Sequence, residues 1–172
     1  MNVMNPTNDT VSGKEGIMSE ITFLASTKPF KIPDEIQEYN NRSVFDSIED
    51  CVQLIVTEVD EYGWEDLVKD LFTLPYIYEI IGADSQLFLL YLEKHMEVGE
   101  VLELLHFPDQ HAFEFYVKRL MEKPEPIEIN VGRLTYQDQY GAYQFNPKKW
   151  VEELSHKNFL TEYGVTTIVK YD

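Results

Sequence analysis

Residues 100–123, EVLELLHFPDQHAFEFYVKRLMEK, constrain the fold more than any other part of the chain, because they pass from an apolar run to helical periodicity across a single Pro-Asp pair. Val101, Leu102, Leu104, Leu105 and Phe107 make a run short and apolar enough for a mostly buried strand. Pro108 stops it. Asp109 is placed to cap a helix, accepting from backbone N–H groups near His111 and Ala112 and setting a negative charge at the positive helix end. Phe113, Tyr116, Val117, Leu120 and Met121 then recur at three- and four-residue steps, while Glu114, Lys118 and Arg119 fall toward water. Pro124 and Pro126 end that helix.

The rest of the chain reads around this unit. Residues 1–18 are polar and without periodicity, a flexible N-terminal tail to one domain spanning 19–172. Residues 20–26 read as a first strand, 28–33 as an extended linker held out of the helical region by its prolines, and 34–39 as a short helical turn. Residues 46–62 keep a helical spacing at Ile48, Val52, Ile55 and Val59, but their β-branched content favours a strand. Residues 64–72 predict a helix with Trp64, Leu67, Val68, Leu71 and Phe72 on one face. Apolar runs at 75–81, 86–92 and 100–107, separated by turn residues, suggest a three-stranded antiparallel meander, with a helix over 85–98 as the competing reading. Residues 127–131, 134–137 and 142–145 flank Gly132 and Gly141 and read as hairpin strands. Asn146 and Pro147 open a helix over 148–156, and 165–171 is a closing strand. Strands arriving in hairpins rather than in alternation with helices define an α+β class, a single domain with a mostly antiparallel sheet and three or four helices.

Charge is the second constraint. The net charge is −17, and it is regional: residues 43–93 hold twelve carboxylates against Lys69 alone, a net −11, whereas 118–172 balance to zero. Such a field repels phosphates and attracts basic surfaces, so nucleic acid is excluded as a partner and a basic protein surface is expected. No apolar run approaches the roughly 18 residues of a spanning helix, and the opening residues have no apolar leader, which predicts a cytoplasmic protein off the membrane. Cys51 is the one cysteine, so no internal disulfide and no cysteine-built zinc cage is expected. Glu49 and Asp50 beside it disfavour a thiolate, and a partly buried core role is the expectation.

Few residues suggest chemistry. His106, Asp109 and His111 stand close at a strand-to-helix turn, the types and proximity that general acid–base or metal-assisted hydrolysis needs. Glu103/His106 and Glu153/His156 share the Glu-x-x-His spacing of di-iron bundles, but that spacing works only on helices, and residues three apart on a strand face opposite ways. No phosphate loop, dinucleotide fingerprint or nucleophile elbow is present, so no cofactor and no metal is assigned. The leading expectation is therefore an acidic binding protein of inhibitor, immunity or regulatory type. It would dock a basic partner through 43–93, with Asp60, Glu61, Glu65, Asp66 and Asp70 at the contact. Tyr136, Tyr140 and Tyr143 lie among glutamines near a glycine turn and form a further candidate recognition surface, for protein or for a small ligand.

Overall fold

Val101–Phe107 forms the strand expected of it, and the other elements are arranged on its two faces and two sides. The computed structural model describes residues 20–48, 51–59 and 63–172. In chain order its strands are β1 (Ile21–Ser26), β2 (Ile55–Glu58), β3 (Tyr76–Ile81), β4 (Val101–Phe107), β5 (Ile127–Asn130), β6 (Thr135–Asp138), β7 (Gly141–Gln144) and β8 (Thr166–Val169). The α-helices among the described residues are α1 (Asp34–Asn40), α2 (Trp64–Val68), α3 (Gln86–Lys94), α4 (Phe113–Glu122) and α5 (Trp150–Ser155). All eight strands join one sheet in the order β2-β3-β1-β4-β8-β5-β6-β7, antiparallel at every step except β5 beside β8. The protein is an α+β domain.

Both faces of the sheet are covered, and the period of two along each strand sorts the core into two layers. Leu24, Leu102, Leu104 and Ile168 face the layer closed by Ile36 of α1, Leu87, Phe88 and Leu92 of α3 and Leu154 of α5. Ile21, Phe23, Ala25, Leu105 and Phe107 face the opposite layer, closed by Val68 of α2 and by Phe113 and Tyr116 of α4. Strands buried on both sides carry apolar residues almost without alternation, which is why β1 and β4 stand out in the sequence. Each Leu or Phe so buried contributes about 1.5–3 kcal/mol.

Four expectations are corrected by the structure. Residues 86–92 are not the middle strand of a meander; they lie in α3. Leu87, Phe88, Leu89, Tyr91 and Leu92 are all buried, so the helix is wrapped by protein on most of its circumference and loses the polar stripe that marks a surface helix. Strand structure in 46–62 is confined to β2, while Ile48 is largely exposed, and residues 49–50 and 60–62 lie outside the described residues. Met121 is exposed rather than on the packed face of α4, and Cys51 is exposed rather than in the core.

The capping unit at the end of β4 is present: the Asp109 carboxylate accepts from the His111 N–H at 2.9 Å, and a short 3-10 turn, Gln110–Ala112, leads into α4. A second carboxylate fixes the other end of that strand. Glu103 is buried and accepts from the Thr73 N–H (2.9 Å), the Thr73 hydroxyl (2.9 Å) and the Leu74 N–H (3.1 Å), tying β4 to the loop after α2. Its three donors replace the water a buried carboxylate gives up. At the far edge, the Asn40 side chain reaches from the end of α1 to Leu54, accepting from its N–H at 2.9 Å and donating to its carbonyl at 2.8 Å.

Candidate functional site

The acidic region 43–93 comprises β2 and β3, the two strands at one end of the sheet, with α2 and most of α3, which pack on its opposite faces. None of its described carboxylates is buried. Asp46, Glu58, Asp66, Asp70, Asp84 and Glu93 are exposed, and Glu65 and Glu79 are partly covered. Lys69 Nζ lies 3.2 Å from Asp66 Oδ1, with both side chains more than half exposed, a contact that neutralises little of the block. Asp60 and Glu61 lie outside the described residues. Exposed apolar side chains are interspersed with the charges: Val44, Ile48, Leu67, Tyr76 and Ile81. A surface of this mixed kind offers both charge complementarity and dehydration to a basic partner.

The histidine pair is not one site. His106 lies opposite Thr22 in the β1–β4 ladder, and its Nδ1 is 2.8 Å from the Thr22 hydroxyl. It faces a cleft of about 280 Å³ lined also by Glu20, Asp84, Asn158 and Glu162. Burial holds the imidazole below its ordinary pKa, opposed by the nearby carboxylates of Glu20, Glu162 and Asp84. Asp109 and His111 do not line this cleft; His111 is exposed, and Asp109 is spent on the backbone cap. Among the described residues no three His, Cys, Asp or Glu side chains converge as metal ligands would. Thr22 and the acidic rim were missed in the sequence, since Thr22 is 84 residues from His106 and only the strand register joins them.

Glu103 and His106 lie on opposite faces of β4, the carboxylate bound to the 73–74 loop and the imidazole to Thr22, so they form no Glu-x-x-His unit. Glu153 accepts instead from the Tyr143 hydroxyl at 2.6 Å and the Asn146 N–H at 2.7 Å, fastening α5 to the last hairpin. The shared proton lowers the Glu153 carboxyl and raises the Tyr143 phenol from their ordinary values.

The three tyrosines are divided in the same way. Tyr136 is buried and packs against Phe145, with the Lys157 ammonium over both the Tyr136 and Tyr143 rings. Tyr140 is 88% exposed. A hollow of about 270 Å³ beside the hairpin is lined by Tyr136, Asp138, Gln139 and Tyr140 and by the 158–163 loop.

No protein family, curated protein or solved structure matches this chain. No helix among the described residues is long and apolar enough to cross a membrane.

Proposed function

We propose that this is a binding protein of inhibitor, immunity or regulatory type, which docks a basic protein surface through the acidic region 43–93. The observation behind this reading is the exposed carboxylate set of residues 43–93, a stretch whose one basic residue is Lys69, mixed with exposed apolar side chains. Solubility does not require that concentration of one sign in one stretch of the chain. Cytoplasmic residence fits a chain with a single exposed thiol.

The test is affinity capture with the wild-type chain and with the quadruple variant Asp60→Lys, Glu61→Lys, Asp66→Lys, Asp70→Lys as baits. A true partner is lost both on the variant and at about 1 M salt, where the Debye length is about 3 Å. Capture unchanged by the four reversals removes the reading.

The hollow beside the hairpin supports a second reading, a small-ligand binder using Tyr136, Tyr140 and Tyr143. Its volume falls just under the roughly 300 Å³ at which ordinary ligand pockets begin. That reading requires Tyr140→Ala to weaken binding of an identified ligand; an unchanged affinity discards it. The hydrolase alternative with His106, Asp109 and His111 has less support, since the three residues share no cleft and no hydrogen bond other than the Asp109 cap on the His111 backbone.

A further inference from the structure

The outer side of β2 is a row of peptide groups of which one is already engaged by a side chain acting as a strand would. In an antiparallel ladder a residue presents its N–H and C=O to the same side, and its neighbours present theirs to the other. The Gln53 carbonyl lies against Gly82 at the end of β3, so residues 53, 55 and 57 face β3. Leu54, Val56 and Glu58 therefore face outward. The Leu54 N–H and C=O are both met by the Asn40 carboxamide, which supplies one acceptor and one donor just as a passing peptide bond does. The next two outward positions, Val56 and Glu58, meet no backbone or side-chain partner among the described residues.

We propose that this edge takes up an extended basic segment of the partner as a ninth strand, pairing with the backbone of Val56 and Glu58 next to the Asn40 carboxamide. The proposal rests on the acidic-docking reading and adds its mode and the chemistry of the bound segment. Charge decides the occupant. Glu58 is exposed on the edge itself, the sequence continues with Asp60 and Glu61, and α2 adds Glu65 and Asp66 after it. Lysines or arginines on an incoming strand gain from Glu58 and from the negative field of the 43–93 region, whereas a second copy would bring another −11 region against the first. The opposite edge, β7, has no charged side chain and belongs to a region of zero net charge, so selection for a basic strand is confined to β2. Strand addition draws affinity from the main chain and specificity from alternate side chains, which suits a short edge with one dominant sign.

The probes are peptides of about ten residues alternating Lys and Val, the same peptide fully N-methylated along its backbone, and a Glu–Val counterpart. They are titrated into the full chain, with amide hydrogen exchange followed residue by residue. The expected result is binding of the Lys–Val peptide alone, with the Val56 and Glu58 amides slowed about tenfold or more. If the Lys–Val and N-methylated peptides bind equally and those two amides exchange as before, strand addition is wrong and acidic docking stands. If no basic peptide binds better than the Glu–Val one, both fall.

Discussion

Gly82 and Gly99 share a positive φ and differ in what surrounds them, so alanine at each separates conformational strain from steric conflict. Their φ angles are +92° and +90°, a region that an L side chain enters at a cost of roughly 1–2 kcal/mol. A Cβ at position 99 would meet nothing within 4 Å, so Gly99→Ala costs that strain alone. At position 82 the same atom would fall 2.0 Å from the Gln53 carbonyl oxygen and 3.3 Å from Leu54 Cα. Both are main-chain atoms, and no rotamer change relieves the overlap. β2 must withdraw from β3, opening the ladder that begins at Ile55 opposite Ile81 and drawing out Leu54, which is fully buried. Losing the burial of one leucine is worth about 1.5–3 kcal/mol. Gly82→Ala is therefore expected to cost roughly 2–3 kcal/mol more than Gly99→Ala, a gap of about 4–12 °C in Tm for a chain of this length. Equilibrium urea unfolding of the two variants, followed by far-UV circular dichroism, measures the difference. Equal destabilisation within about 0.5 kcal/mol would refute the claim that β2 is locked against Gly82.

Two further perturbations report on the same edge and on the His106 cleft. Asn40→Ala removes both partners of the Leu54 peptide groups and should cost about 1–3 kcal/mol in urea unfolding; a loss below about 0.5 kcal/mol would show that water replaces the carboxamide freely. The His106 imidazole should titrate below its ordinary 6.5 by proton-detected NMR, because burial disfavours the charged ring. With the folded value depressed, the unfolded chain binds the proton first, so this contribution to stability is complete above 6.5 and is lost as pH falls from there toward the folded value. His106→Asn should lack that part of the pH dependence; a measured value at or above 6.5 contradicts the reasoning.

What the sequence disclosed depended on how much of each element touches water. β1, β4 and the Asp109 cap were legible because continuous apolar runs and a Pro-Asp turn admit few alternatives. α3 was hidden for the converse reason: burial on most sides erased its period, and the remaining signal was the absence of Val, Ile and Thr from QLFLLYLEK, a composition that favours helix over strand. The site divided along similar lines. Regional charge is additive along the chain and was visible in the sequence, but the openness of the β2 edge was not. That depends on the pairing of β2 with β3 and on Asn40 reaching Leu54 across fourteen positions. Histidines close in sequence proved a poor guide to geometry, because successive residues at a strand end turn to different faces while the register supplies the true neighbour, Thr22.

The place of β8 governs when this sheet can close. Thr166–Val169 lies between β4, which it meets antiparallel, and β5, which it meets parallel, and it comes later in the sequence than every other strand. Without residues 166–169, β2-β3-β1-β4 and β5-β6-β7 have no ladder between them, and each would have one unpaired inner edge. A chain without β8 therefore has no means of joining its two half-sheets. β8 is the keystone that makes them one sheet.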